Sequence, residues 1–304
     1  MKPRLPDGVT VFERGWLSSN NVLLDGEEPA LVDSGYVTHA AQTVALVEEA
    51  LGGRPLARLV NTHLHSDHCG GNAALQQRYA SLPTDIPPAD FDAVARWDES
   101  ALSFRDTGQQ CPRFLASGVL LSGQLRRLGR NDWEIHGAPG HDPHAVLLFE
   151  PRSRTLISAD ALWENGFGVV FPELVGETSF DDVGATLDLI AALRPTSVIP
   201  GHGSVFSDTP AALGRARRRL EGLMSDPTRH ARYAFKVLIK FKLLEAQHLP
   251  EIEWHAWRDR TPYLRTIHSR FFPGWEFSVF AEDVLKELVR SGAAARSARG
   301  IRNS

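Results

Sequence analysis

The chain has 304 residues, a net charge of −4, 42% hydrophobic and 23% charged residues. That is an ordinary globular composition, which excludes a disordered or fibrous chain, and no apolar run reaches the roughly 18 residues of a membrane-spanning helix. The N-terminus lacks the apolar stretch of a secretory leader, and Cys69 and Cys111 are too few for a disulfide framework, so the expected setting is a reducing cytoplasm with no membrane partner.

Taken in chain order, Val9–Phe12, Asn21–Leu24 and Ala30–Val32 are short β-branched or apolar runs parted by turn residues, the pattern of an antiparallel meander. Residues 38–51 are expected to be helical, from apolar Ala41, Val44, Ala45 and Leu51 and a stop at Gly52 and Gly53. A buried strand over 56–61 and a helix over 72–79 follow. Residues 82–130 break the pattern, apart from an expected helix over 90–102. Strands are predicted over 133–136, 145–149, 155–158 and 197–199. A helix over 180–193 carries Asp181 and Asp182 in its first turn, where the helix dipole favours them. Strands alternating with helices imply a layered α/β domain. Beyond Asp208 the pattern turns helical, over 210–224, 232–247 and 283–289, with a mixed stretch at 252–272 and a small, polar end expected to fray. The charge splits at the same place. Residues 1–208 carry 15 basic and 27 acidic side chains, and residues 209–304 carry 18 and 10. The split suggests two regions that attract each other.

The segment His63-Leu64-His65-Ser66-Asp67-His68 places three imidazoles and a carboxylate on a strand-to-helix loop. Imidazole nitrogen and carboxylate oxygen suit zinc and neighbouring transition metals. His63 and His65, two apart, project to one side of extended chain and can share an ion; Asp67 and His68 can reach a second point. Three more candidates stand at predicted strand ends, where α/β layers carry functional groups: His141, Asp160 and His202.

Together these residues resemble the metallo-β-lactamase-fold hydrolase superfamily, in chain order over residues 10 to 230. The resemblance implies an αββα four-layer sandwich with metals at one edge. It further implies a catalytic domain over 1–228, in which 82–130 is a lid or specificity insertion, and a mostly helical region over 229–304. By the same resemblance His63, His65 and His141 hold the first metal, and Asp67, His68 and His202 hold the second. Asp160 bridges the two, and Asp33 supports the site from behind. The cofactors implied are two divalent ions, zinc foremost, with iron or manganese as alternatives. A hydroxide bridging them is the implied nucleophile, with Asp67 orienting it. The ligand set looks most like the glyoxalase II type, and the end of the chain resembles the winged-helix tail of the β-lactamase-like protein 2 group.

These features point to a hydrolase of a small-molecule thioester, ester or lactone, and leave room for an anionic substrate drawn towards the seam between the acidic and basic portions. The second reading is a ribonuclease that binds nucleic acid through that region. Cys69 reads as a small buried hydrophobe rather than a catalytic thiol. His144 reads equally as a proton donor or a core histidine, and Asp142 as a loop residue. Trp163, Phe167 and Phe171 are candidates for the mouth or for the core.

Overall fold

The computed structural model describes residues 3–304. The first sheet holds β1 (Val9–Phe12), β2 (Asn21–Leu24), β3 (Ala30–Val32), β4 (Arg58–Val60), β5 (Thr84–Ile86) and β6 (Gly118–Val119), in that spatial order. Its first three strands are the expected antiparallel meander, and β3 to β6 run parallel. The second sheet contains β7 (Leu125–Leu128), β8 (Asn131–Gly137), β9 (Val146–Glu150), β10 (Thr155–Ala159) and β11 (Ser197–Pro200), in the order β11-β10-β9-β8-β7.

Period-two alternation decides the layers. Val22, Leu24, Val32 and Val60 of the first sheet meet Ile135, Val146, Leu148, Ile157 and Ile199 of the second in one buried cluster. The intervening Leu23, Leu31 and Leu59 face outward under α1 (Ala40–Leu51), with Leu75 from the later helix at 72–78. Leu147, Phe149, Leu156 and Val198 face the opposite helices in the same way. The result is the expected αββα sandwich.

The helices that complete it, in order, are α2 (Ser66–Cys69), α3 (Asn72–Arg78), α4 (Phe91–Arg96), α5 (Phe104–Thr107), α6 (Phe171–Val175), α7 (Phe180–Leu193) and α8 (Thr209–Ser225). The helix expected over 90–102 ends at Arg96, because Trp97 turns left-handed at φ 57° and packs its ring against Phe104 and Phe114. Segment 82–130 divides between two roles. Its strands β5, β6 and β7 belong to the two sheets, while Ser103, Thr107 and Gln109 reach the cleft described below.

The C-terminal region comprises α9 (Pro227–Ala246), β12 (His248–Leu249), α10 (Glu251–Arg260), α11 (Pro262–Phe271), α12 (Phe277–Arg290), β13 (Ala294–Ser297) and β14 (Gly300–Asn303). Its strands form a small antiparallel sheet in the order β12-β14-β13, so helices carry a hairpin at the chain's end. Helix α12 starts six residues before the predicted 283, since the Glu276 carboxylate caps Val279 N–H at 2.9 Å and Phe280, Ala281, Val284, Leu285 and Leu288 form one buried face. The end of the chain is not frayed: Ile301 is buried and pairs through β14 with β12, and Lys240 Nζ holds Asn303 Oδ1 at 2.5 Å.

Attraction between the acidic and basic portions is a small part of what joins them: Arg217 meets Asp188 at 2.6 Å across the division, in an exposed pair. Many basic side chains of the tail pair within it, as in Arg232 with Asp283 and Glu287, Lys236 with Glu287, and Arg296 with Glu251. Such pairs contribute little each. The joint is chiefly apolar and hydrogen-bonded. Val169 and Leu174 enter the tail's core, Tyr263 Oη donates to Phe171 O at 2.8 Å, and Tyr36 Oη donates to Glu245 Oε1 at 3.1 Å.

His230 closes the same joint by accepting Val170 N–H at 3.2 Å. Burial, reinforced by Arg219, pushes its pKa down to about 4, so the folded chain keeps it neutral where the unfolded chain would take up a proton. Its contribution is therefore full above the unfolded value of about 6.5 and is lost as pH falls towards 4, by about 3 kcal/mol at most. Thermal melts between pH 7 and 4.5 should show a smaller acid-induced fall in Tm for His230→Gln than for wild type; equal falls would contradict this assignment.

Candidate metal centre

The loop after β4 is extended through His65, whose φ of −65° and ψ of 147° precede the single turn of α2. His63 and His65 therefore lie on one side, with ring centroids 4.7 Å apart, and α2 then presents Asp67 and His68. The loop after β8 supplies His141, the end of β10 supplies Asp160, and the loop after β11 supplies His202. Two groups result whose potential donor atoms lie within 4.8 Å of one another: His63, His65 and His141; and Asp67, His68, Asp160 and His202. All seven residues singled out from the sequence are thus brought together at one edge of the sandwich.

The outer nitrogens show which atoms are free to ligate. Thr62 Oγ1 donates to Asp33 Oδ2 at 2.8 Å, so its lone pair faces His63 Nδ1 at 3.2 Å. His141 Nδ1 donates to Val169 O at 2.5 Å, and His65 Nε2 lies 3.7 Å from Asp142 Oδ2. With protons on those atoms, His63 Nε2, His65 Nδ1 and His141 Nε2 turn lone pairs towards each other, at 3.1 and 2.8 Å between successive atoms. Three lone pairs at that range repel unless a cation sits among them, so the donor set fits a metal ion. Burial lowers the basicity of His63, His65 and His141, the last to about 4, which keeps these rings in the ligating form at neutral pH.

The second group follows the same logic. His68 Nδ1 donates to Asp33 Oδ2 at 2.8 Å, and its buried Nε2 has no hydrogen-bond partner while facing Asp160 Oδ1 at 3.4 Å and Asp67 Oδ2 at 3.9 Å. Burial opposes charge on His68, but Asp160, Asp33 and Asp67 outweigh it and raise its pKa, so this pocket of carboxylates calls for a positive charge. His202 Nε2 lies 3.1 Å from Asp67 Oδ2, with Trp16 stacked on its ring.

Asp160 serves both groups. Its Oδ2 is 3.3 Å from His141 Nε2, while Oδ1 faces His68 Nε2 and stands 3.9 Å from His202 Nε2. Burial disfavours its ionised form, yet His68, His202 and His141 together hold the carboxyl well below the ordinary range. Two backbone features aim it. The register with β11 shifts between Ile157 and Ala159, and Ala159 adopts φ 44°. Gly201 leaves the space the carboxylate occupies, since a Cβ there would lie 2.1 Å from Asp160 Oδ1.

Asp33 sits behind the donors. It is buried, adopts φ 59°, and accepts Thr62 N–H at 2.9 Å as well as His68 Nδ1–H. It thereby holds the His68 ring through its Nδ1–H from behind the donors.

A cleft of about 690 Å³, counted out to its open mouth, leads to these groups. Trp163 and Phe171 line it, with Trp163 Nε1 donating to Asp160 Oδ1 at 3.2 Å, whereas Phe167 is core. Cys69 is fully buried, its thiol pKa raised well above the ordinary value chiefly by burial, with Sγ 3.7 Å from Cys111 Sγ. His144 binds Asp90 Oδ1 at 2.7 Å in an adjoining recess. Five contributors escaped the sequence reading: Asp142, Trp16 and the α9 residues Tyr233, Val237 and Phe241. The apolar circumference of α9 is the one visible signal for Val237 and Phe241. Leu238 and Ile239 lie in the tail's core, and Leu238 lines the cleft as well, together with Val237 and Phe241.

A family model of the metallo-beta-lactamase superfamily matches residues 14–202, from just before β2 through the last candidate ligand. Among curated proteins, the chain is 24% identical over 228 residues to the probable metallo-hydrolase YqjP of Bacillus subtilis (strain 168), covering 63% of this chain and 69% of that protein. It is 26% identical over 120 residues to an uncharacterized protein of Aquifex aeolicus (strain VF5), covering 40% of this chain and little more than half, 56%, of that one. Among solved structures, TTHA1623 in a di-iron-bound form aligns with a TM-score of 0.53 at 25% identity, over 69% of this chain and 98% of its own. A beta-lactamase domain protein from Burkholderia ambifaria shares the fold over 99% of this chain and 93% of its own, with a TM-score of 0.61 at 18% identity. With its donors on the strand ends of an αββα sandwich and the family model spanning all of them, the chain belongs to the metallo-β-lactamase superfamily.

Proposed function

We propose that the protein is a dinuclear metal-dependent hydrolase of small-molecule thioesters, esters or lactones, with zinc as its metal. His63, His65 and His141 would hold one ion and Asp67, His68 and His202 the other, with Asp160 between them. The ions, when bound, supply Lewis acidity that lowers the pKa of water and polarises the scissile carbonyl. The chain's own residues arrange the rest. Asp33, Val169 O and Asp142 fix the imidazole orientations. Asp67, whose Oδ2 lies 3.1 Å from His202 Nε2, would orient the attacking water while helping to hold its ion. Trp16, Trp163, Phe171 and Phe241 give the cleft an apolar lining.

The observation that carries this reading is the cleft wall. It is aromatic and aliphatic, with α9 across it and no Lys or Arg among its lining residues. Such a wall suits an apolar acyl group and, apart from the metal site itself, offers no cationic side chain to a phosphodiester backbone. A glyoxalase II-type thioester is one member of this class. The test is a panel of acyl-glutathione and acyl-coenzyme A thioesters, lactones, nitrophenyl esters and single-stranded RNA, with His65→Ala as control. Turnover of an ester or thioester that vanishes in His65→Ala is expected. RNA cleavage that vanishes in that variant, without ester turnover, would overturn the reading.

A further inference from the structure

Four of the five candidate histidine ligands have a protein group at the ring nitrogen turned away from the metal positions. Thr62 Oγ1 stands 3.2 Å from His63 Nδ1, Asp142 Oδ2 3.7 Å from His65 Nε2, Asp33 Oδ2 2.8 Å from His68 Nδ1 and Val169 O 2.5 Å from His141 Nδ1. His202 is the exception. Its Nε2 faces Asp67 and Asp160, while its buried Nδ1 has no hydrogen-bond partner. When Nε2 ligates, Nδ1 keeps the ring proton. No acceptor then fixes the ring, although a group behind a ligating imidazole is what ordinarily orients it. The orientation of His202 is left to packing.

Two indoles supply that packing. Trp16 lies over the imidazole, with centroids 5.4 Å apart and planes 15° apart. Trp163 stands across the same ring at 5.4 Å and 79°, and the two indoles meet at 5.5 Å and 66°. Trp163 is tied to the centre by its hydrogen bond to Asp160. Trp16 is 60% exposed, so it adds little to the core, and both its ring contacts are within this site. The loop that carries it is fixed to the same place. Asn20 Nδ2 donates to Pro200 O at 3.0 Å and to Gly203 O at 2.7 Å. Asn20 N–H donates to Gly201 O at 2.7 Å, and Ser19 N–H to Asp67 O at 3.0 Å. At the loop's other end Ser204 Oγ donates to Glu13 Oε2 at 2.9 Å. Residues 13–20 thus grip the backbone that carries His202 and Asp67, and lay Trp16 on the imidazole.

We propose that Trp16 is a positioning residue for the second metal: its flat face holds the His202 imidazole in the ligating orientation, in place of the hydrogen bond that the other four rings have. Turning the imidazole out of its plane would drive its edge into the parallel indole, whereas a smaller aliphatic chain at position 16 would yield. The inference rests on the two-metal reading above and is independent of the substrate.

The test is stepwise zinc binding to the full-length protein, measured by chelator competition for wild type, Trp16→Ala, Trp16→Leu and Trp16→Phe. Trp16→Ala should weaken one of the two equivalents by about tenfold or more and leave the other unchanged. Trp16→Phe keeps a flat face and should recover most of the loss. Trp16→Leu keeps only an apolar cover and should not. The metal-free proteins should melt alike, because the Trp16 side chain is largely exposed. Two wild-type affinities in Trp16→Ala, or a recovery by Trp16→Leu as complete as that by Trp16→Phe, overturns the positioning role and leaves the dinuclear centre standing. A lower melting temperature in Trp16→Ala with both equivalents weakened alike marks a merely structural residue and overturns it too. Wild-type protein that takes up a single equivalent removes the dinuclear reading and this inference with it.

Discussion

Asp160→Ala should lower hydrolysis by about a thousandfold, roughly 4 kcal/mol of transition-state stabilisation, and take bound metal from about two equivalents to one or none. The reason is geometric. Asp160 is the residue whose two oxygens face different donor groups, Oδ2 towards His141 and Oδ1 towards His68 and His202. Alanine removes a ligand from each group at once, whereas loss of a histidine such as His63 weakens one. Asp160→Asn should fall nearly as far, because an amide keeps one acceptor for Trp163 Nε1 but places an NH₂ where the other oxygen faced a donor group. Steady-state kinetics with metal analysis on the same samples check this. A variant with wild-type rate and full metal content would remove Asp160 from the centre.

Substitutions at Asp33 should separate stability from metal binding. Asp33→Ala leaves Thr62 N–H and Oγ1 without their buried acceptor and puts alanine at φ 59°, where it is strained. A loss of about 3 kcal/mol or more is expected in denaturant titrations. Asp33→Asn tolerates the left-handed backbone and can still accept Thr62 N–H. Its amide NH₂ then takes the place of Oδ2, facing both Thr62 Oγ1, whose proton must turn elsewhere, and His68 Nδ1, which must turn from donor to acceptor. The proton moves to Nε2, the atom aimed at Asp160 and Asp67. Asp33→Asn should therefore melt close to wild type yet bind the second equivalent of metal about 10 to 100 times more weakly. Unchanged metal affinity in a folded Asp33→Asn protein would show that Asp33 does not set this tautomer.

The sandwich and its metal edge were legible because both follow local rules. The apolar runs of β2, β9 and β10 mark strands that are buried on both faces, and His63, His65, Asp67 and His68 sit so close in sequence that a loop followed by one helical turn must bring them together. His141, Asp160 and His202 were found by their place at strand ends. What escaped depends on distant chain. Trp16 reaches His202 only after β1 and the loop beyond β11 are brought side by side, and no periodicity announces it. Trp97 ends a helix against two later rings, Phe104 and Phe114, overriding its local pattern. The charge split was visible, but its meaning was not. Many basic residues in the tail find acids in the tail, as Arg232 finds Asp283 and Glu287, and what binds tail to core is chiefly apolar contact and the hydrogen bonds of Tyr36, His230 and Tyr263. Asp142 was dismissed as a loop residue although it adjoins His141. Its role is towards His65, 77 residues earlier in the chain, which only the fold reveals.

Anomalous diffraction from crystals of the metal-loaded protein tests the central claim most directly. Two peaks are predicted, one among His63, His65 and His141 and one among Asp67, His68 and His202, with the Asp160 carboxylate between them. A single peak, or peaks away from these side chains, would contradict it.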